Sequence, residues 1–292
     1  MTNFAELTGR GVITLSGTDR VAFLQGLVSN DVTKLEPGRA LWSALLTAQG
    51  KFRHDFFLIE DGDRILIDCE GGDRLMDLGQ TLRRYVLRAD AKLGVEPALH
   101  CFALWGDGSK DPLTDGTIDT LAGGVLYADP RLPAMGYRLI APADAARPWL
   151  LDHGATERSR ADWDAHRIPL GIPDGARDIQ PDKAILLEHG FDELNGLDWK
   201  KGCYMGQELT ARTKYRGLTK KRLLPVRLSG GTPEEGSQVL TPEGKDAGTL
   251  FSIAGDWGLA LLRLDAVKRK AALTSGSTAL HPEIPDWITL SD

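Results

Sequence analysis

One cysteine stands in surroundings that favour chemistry rather than packing. The stretch WKKGCYMGQELTARTKYRG, residues 199–217, places Cys203 after two lysines and between Gly202 and Gly206. A helix predicted from Gln207, with an acid in its first turn and bases in its last, would begin just after it. Nearby positive charge and a helix N-terminus both favour the thiolate, which is the form of cysteine that attacks electrophiles and ligates metals. The pattern indicates a reactive cysteine, and a small residue filling a glycine-rich turn is the alternative.

A basic run surrounds this cysteine. Residues 200–222 contain eight lysines and arginines and a single acid, Glu208, although the whole chain carries a net charge of −6. A local excess of this kind suits a polyanionic ligand or an acidic partner surface, and a solvated face is the alternative. Arg212 stands four residues after Glu208, so the two could pair across one helical turn.

Several elements must position these residues. The sequence predicts a strand over residues 11–16, a short helix over 17–31, a β-meander over 40–70, a helix over 72–88 and a strand over 91–97. Apolar residues recur at helical spacing in the two helices, and Gly and Asp mark the turns of the meander. Hairpins mixed with helices are typical of an α+β fold.

The C-terminal part of the chain has a different pattern of predicted elements. Short strands are predicted over residues 100–150, and a polar helix over 155–175 ends near Pro169 and Pro173. After Gly217 short strands alternate with Gly, Pro and Ser turns, as in a small β-barrel or sandwich. We therefore predict a domain of residues 1–217, with two subdomains as an option, and a second domain of residues 218–292.

Composition bounds the class of protein. The 292 residues are 42% hydrophobic and 26% charged, which is ordinary for a folded protein. The three cysteines are widely spaced, which favours a reducing compartment. No secretory signal and no apolar run of about 18 residues is visible, so we predict a cytoplasmic protein without membrane contact. No Cys/His cluster occurs, so no metal site of its own is expected.

Two sets of motifs resemble known families. The segment KGCYMGQE, Lys201–Glu208, followed by Arg212, resembles the signature of the YgfZ family of folate-binding proteins, relatives of a mitochondrial iron–sulfur assembly factor. VITLSGTDRVAFLQGLVSNDVTKL, LLTAQGKFRHDFFL and ILLEHG are similar to segments of glycine-cleavage T-protein, the aminomethyltransferase. The resemblance implies T-protein-like folate-binding α+β domains arranged around a central cavity, plus a small C-terminal β-barrel.

The resemblance also implies roles for individual residues. Cys203 and Lys201 of the signature are expected to be catalytic, and tetrahydrofolate or a derivative is the expected cofactor. Glu188 in ILLEHG matches the glutamate that binds the pterin in T-protein. The remaining signature positions implied for cofactor binding are Gly202, Tyr204, Gly206, Gln207, Glu208 and Arg212.

Some candidates have a packing role as their alternative. Asp55 lies near the position of the catalytic aspartate of T-protein, but GKFRHDFF matches that pattern only with an offset. Its neighbour His54 is an acid/base candidate, and an exposed hairpin histidine is the favoured alternative. Trp42, Trp105 and Phe57 could stack on a pterin, although aromatic residues in strands usually belong to the core.

The motifs and the resemblance lead to three candidate functions. The first is a folate-binding accessory protein that assembles or repairs iron–sulfur clusters of client enzymes, with client or assembly proteins as partners. The second is a tetrahydrofolate-dependent aminomethyl or one-carbon transferase, which requires Asp55 at the folate. The third is a module that uses the basic run to bind tRNA or a tRNA-modifying enzyme. The sequence leaves open whether the protein is an enzyme.

Overall fold

The computed structural model describes residues 2–106, 121 and 123–290. Its internal contacts divide the chain into two compact units, each built from several segments. The first unit comprises Met1–Leu46, His54–Arg160 and Leu194–Met205, and the second comprises Thr47–Arg53, Ala161–Glu193 and Gly206–Asp292. The predicted boundary at residue 218 stays a prediction, because the second unit also takes in segments that precede it.

The first unit contains two five-stranded sheets. In spatial order, one sheet consists of β3 (Leu41–Leu46), β4 (Phe52–Asp61), β5 (Arg64–Glu70), β2 (Arg10–Ser16) and β6 (Lys92–Val95). The other consists of β10 (Thr156–Glu157), β1 (Thr2–Glu6), β7 (Leu99–Gly106), β9 (Tyr137–Pro142) and β8 (Val125–Ala128). The predicted meander is confirmed, since β3, β4 and β5 follow one another and β5 pairs antiparallel with both β4 and β2.

Three helices belong to this unit. They are α1 (Arg20–Gln25), α2 (Asp73–Val86) and α3 (Ala143–Asp152). The predicted apolar face of α2 is confirmed, because Leu75, Leu78 and Leu82 are buried in one cluster with Ile13 and Phe56 of the first sheet. Strand β1 and helix α3 were not predicted from the sequence.

A buried ionic cluster lies in the same unit. Asp68 and Asp129 are buried together with Arg131 and Arg138. Arg138 donates from Nε to Asp129 Oδ2 at 3.0 Å and from Nη1 to Asp68 Oδ2 at 3.2 Å. Arg131 donates to Asp129 through Nε at 2.9 Å and Nη2 at 2.7 Å, and Arg10 pairs with Asp68. Each of the two aspartates is therefore paired with two arginines, and Arg138 is shared between them.

The second unit carries a closed barrel. Its strands, in spatial order, are β11 (Lys221–Ser229), β14 (Trp257–Arg263), β13 (Asp246–Ala254), β12 (Gln238–Leu240), β15 (Leu273–Ser275) and β16 (Thr278–Pro282). Helices α4 (Arg160–Arg167), α5 (Gln207–Tyr215) and α6 (Leu264–Lys268) complete the set. The predicted α+β class and C-terminal barrel are both confirmed. None of the helices in the described residues is long and apolar enough to span a membrane.

Candidate functional site

The three cysteines fall into two classes. Cys203 is exposed, whereas Cys69 and Cys101 are buried. Burial raises the pKa of the Cys69 thiol to about 12 and that of Cys101 well above its ordinary value. Since the thiolate is the reactive and metal-binding form, the two buried cysteines are poor ligands and nucleophiles. Cys203 is therefore the cysteine that another molecule can reach.

Lys201 fixes the loop of residues 194–205 (the cysteine loop) from within. Its Nζ donates to the carbonyl oxygens of Val28 at 2.5 Å and Asn30 at 2.7 Å, and lies 5.0 Å from the centre of the Tyr204 ring. Burial lowers the pKa of Lys201 to about 8. The ammonium of Lys201 is thus engaged with backbone carbonyls, a contact that the expected catalytic role did not include.

Asp198 holds the turn just before the cysteine. The backbone N–H groups of Lys200 and Lys201 donate to Asp198 Oδ1 at 2.7 and 3.1 Å. The other oxygen of this carboxylate pairs with Lys34. A carboxylate that accepts bonds from two successive amides keeps the turn in one conformation.

Both ends of the cysteine loop are tied to residues 26–30. Asn30 Nδ2 and Ser29 Oγ each donate at 2.7 Å to backbone carbonyls of residues 195 and 196. At the other end, the N–H of Met205 donates to Gly26 O at 3.0 Å. The loop is anchored on both sides of Cys203, so the exposed thiol stands on a well-defined backbone.

The two glycines of the signature differ. Gly206 has a φ of 79°, in the left-handed region that favours glycine, at the start of α5. Gly202 has no such angle, and an added Cβ there would meet nothing within 4 Å. Glu208 and Arg212 are exposed and form no ion pair in the part of the chain that the structure describes, so the expected pairing is absent.

The basic run is not one free surface. Lys214 pairs with Asp192, and the buried Arg222 donates to Leu187 O at 2.9 Å and lies 2.9 Å from Glu193 Oε1. Together with Lys201, these residues direct their positive charge to acceptors within the protein. The positive charge free to meet a partner is therefore smaller than the count of eight lysines and arginines indicates.

Glu188 lies in a cavity of the second unit. It sits in the 3-10 helix Leu186–His189, in a cavity of about 460 Å³. Burial raises the pKa of this carboxyl group, although the backbone N–H groups of Lys221 and Lys220 donate to it. A carboxylate has about four lone-pair sites, so Glu188 keeps capacity for a ligand's donors. The other lining residues are Lys51, Gln180, Lys183, Ala184, Ile185, His189, Lys220, Lys221, Phe251, Leu261 and Arg263.

Asp55 and its neighbours are packed inside the first unit. Asp55 is buried within β4 and accepts a hydrogen bond from Trp42 Nε1 at 2.9 Å. His54 is also buried, with Nε2 2.7 Å from Asp77 Oδ2, so the expectation of an exposed histidine is wrong. Trp42, Trp105 and Phe57 are buried core residues. Among the described residues, no group of three or more His, Cys, Asp or Glu side chains could hold a metal ion.

The anchors of the cysteine loop were missed by sequence reasoning. Ser29 and Asn30 end the predicted helix of residues 17–31, and the sequence indicates no role for Lys34 or Asp198. Lys201 and Val28, which they help to join, are 173 positions apart in the chain. A bond to a backbone carbonyl leaves no side-chain signature at the acceptor, so no pattern could have shown this contact.

The chain is similar to known proteins over nearly its whole length. The family described as the C-terminal β-barrel domain of CAF17 matches residues 220–290. The mitochondrial iron–sulfur cluster assembly factor IBA57 of Mus musculus is 31% identical over 97% of this chain and 84% of its own. That of Homo sapiens is 32% identical over the same shares, 97% and 84%. The homologue of Coccidioides immitis is 31% identical over 95% of this chain and 75% of its own.

A solved structure shares the fold. The crystal structure of glycine cleavage system aminomethyltransferase T from Bartonella henselae matches with a TM-score of 0.75 and 15% identity, over 98% of this chain and 86% of that chain. At this identity the match shows the fold alone, and it confirms the expected T-protein-like architecture. The prediction of a cytoplasmic location is contradicted, because the relatives named above are mitochondrial proteins.

Proposed function

The chain belongs to the family of the iron–sulfur cluster assembly factor IBA57, and from that premise we propose that it contributes the Cys203 thiolate to clusters under assembly. The observation that supports this proposal most is the exposure of Cys203 on an anchored loop, while the other two cysteines are buried. A thiol that must meet a partner's cluster has to be reachable and held in position.

The ligand count favours a cluster shared with a partner. Iron–sulfur clusters are usually held by four thiolates. This chain exposes one, so the remaining ligands would come from a client or assembly protein. Ligation by Cys203 releases its proton, since the metal binds the thiolate. Cys203 would thus ligate the cluster transiently, and the partner would retain the cluster.

Folate binding is the second part of the proposal. A pterin offers an amino group and a ring N–H side by side, and a carboxylate such as Glu188 accepts from both. The recessed position of Glu188 and its free acceptor capacity fit that donor pair. A bound reduced folate supplies an electron-rich pterin ring. The other signature positions implied for cofactor binding stay predictions: Gly202, Tyr204, Gly206, Gln207, Glu208 and Arg212.

The cysteine is tested in cells that lack their own assembly factor of this family. Cells producing wild-type chain should recover the activity of iron–sulfur enzymes, and cells producing Cys203→Ser should not. Because the side chain is exposed, the variant should unfold at the wild-type temperature, which is measured by circular dichroism as the control. Equal enzyme activity with both chains would remove the proposed role of the thiol.

The folate site is tested by calorimetric titration of tetrahydrofolate into the full chain. Glu188→Gln should weaken binding by about tenfold or more, because a lost charge-assisted hydrogen bond costs roughly 1.5–3 kcal/mol. Glu234→Gln, at an exposed acid of the same unit, is the matched control and should bind as wild type does. Unchanged affinity in Glu188→Gln would mean that the pterin binds elsewhere.

A further inference from the structure

The cavity around Glu188 holds many more positive charges than negative ones. Its volume of about 460 Å³ lies in the range of small-molecule sites, roughly 300–1,000 Å³. Glu188 is the single carboxylate among the described lining residues. Five cationic side chains line the same cavity: Lys51, Lys183, Lys220, Lys221 and Arg263.

Of these five cations, only the arginine forms an ion pair within the described residues. Arg263 pairs with Asp246 at 3.3 Å. The four lysines form no ion pair within 4.0 Å in the described residues, although Lys221 and Lys51 lie close enough to Glu188 to favour its ionised form. Like charges gathered around one cavity repel one another, and a bound anion relieves that repulsion.

The buried wall of the cavity adds no positive charge. His189 is 1% exposed, and burial lowers its pKa to about 4, so the ring is neutral at physiological pH. Its Nδ1 lies 3.0 Å from the carbonyl oxygen of Ile185 and therefore donates to it. Nε2 is then an acceptor, and it has no hydrogen-bond partner among the described residues. The cavity is thus lined by lysines, of which Lys183 and Lys220 are exposed, and by two acceptors, Glu188 and His189.

We propose that this cavity binds a small ligand with at least two anionic groups, phosphates or carboxylates, held by the lysines. A donor group on the same ligand faces Glu188. A phosphorylated metabolite and the two carboxylates of a folate share this chemistry. The inference includes Glu188, which the proposed folate site also uses, but it does not rest on the cysteine or on folate being the ligand.

Inorganic pyrophosphate is the probe, titrated into the full chain by calorimetry at low ionic strength. Wild type should bind it, and added salt should weaken the binding because the contacts are ionic. The double variant Lys183→Gln/Lys220→Gln removes two exposed lysines of the cavity and should bind about tenfold more weakly or worse. Lys92→Gln, at an exposed lysine of β6, is the matched control and should bind as wild type does.

A competition arm separates the two sources of the anion. If folate carboxylates occupy the lysines, pyrophosphate will compete with tetrahydrofolate and the double variant will weaken both. If a phosphorylated ligand is the natural one, the double variant will weaken pyrophosphate and leave tetrahydrofolate unchanged. The inference is overturned if wild type does not bind pyrophosphate, if the double variant binds pyrophosphate as tightly as wild type does, or if Lys92→Gln weakens the binding equally. None of these outcomes bears on the proposed role of Cys203, which the cell assay tests separately.

Discussion

The cysteine loop and the buried ionic cluster of the first unit use polar groups in opposite ways. In the cluster, Asp68 and Asp129 face arginines, and these charges are buried. In the cysteine loop, the polar contacts of Lys201 and Asp198 stop short of Cys203, which is left exposed. This difference separates two roles. Polar groups that pair with one another hold the fold, whereas an unpaired group on an anchored backbone is available to a partner.

The electrostatics of the cluster follow from that pairing. Burial acts to raise the pKa of Asp129, but Arg131 and Arg138 outweigh it and hold the pKa well below its ordinary range. The same balance, with Arg10 and Arg138, lowers the pKa of Asp68. Both carboxylates are therefore charged inside the fold, and each depends on its arginines.

Breaking the cluster should produce the largest effect on stability. Asp129→Ala removes the buried carboxylate that Arg131 and Arg138 share, and breaking a buried ion pair typically costs about 3–5 kcal/mol of unfolding free energy. Glu36→Ala, in an exposed pair with Arg39, is the control and should cost at most about 1 kcal/mol. Chemical denaturation measures both values. A loss below about 1 kcal/mol for Asp129→Ala would show that the cluster does not hold the fold.

Acid should remove the contribution of the cluster to the stability of the fold. The ordinary pKa of both carboxyl groups is 3.8, and the folded values are lower. The unfolded chain therefore takes up these protons first, so the unfolding free energy falls as pH drops below about 4. Urea denaturation at about pH 5 and about pH 3 measures the fall, and Asp129→Asn should make it shallower. A variant as acid-sensitive as wild type would contradict the assignment.

Releasing the cysteine loop should have an intermediate effect. Lys201→Met removes the bonds to Val28 O and Asn30 O, for an expected loss of about 1–3 kcal/mol. Hydrogen exchange read by mass spectrometry should rise over residues 195–205 and stay at the wild-type level in α2. Lys200→Met, at an exposed neighbour, is the matched control. Unchanged exchange in Lys201→Met would show that Lys201 does not hold the loop.

The smallest expected effect on stability is the difference between a buried and an exposed cysteine. Cys69→Ala removes a sulfur from an apolar cluster and should lower the unfolding free energy by about 1 kcal/mol or more. Cys203→Ala removes an exposed sulfur and should change it by less than about 0.5 kcal/mol. Thermal unfolding of the two variants side by side is the measurement. Equal losses would mean that Cys203 is part of the packing.

Local patterns in the sequence predicted much of the fold. The apolar face of α2 and the meander β3–β5 depend on neighbours in the chain, so periodicity and turn residues showed them. Strand β1 was missed because its five residues pair with the distant β7 and β10. Helix α3 was missed because it contains Pro148, which a sequence pattern reads as a break.

The site was predicted unevenly for a similar reason. The glycines and lysines around Cys203 indicated a reactive thiol but left its exposure open, and the structure places it at the surface. The positive surroundings were overestimated, because counting charges cannot show that Lys201, Lys214 and Arg222 face internal acceptors. Those acceptors are backbone carbonyls or acids brought close only by the fold.

The central claim, that Cys203 ligates a cluster shared with a partner, is tested most directly by anaerobic capture. Tagged wild-type chain and Cys203→Ser are isolated from cells under strict exclusion of oxygen. Native mass spectrometry and assays of iron and sulfide then measure what each has bound. Wild type should carry a partner with bound iron and sulfide, and Cys203→Ser should lose most of both. Equal iron and sulfide on the two chains would contradict the account.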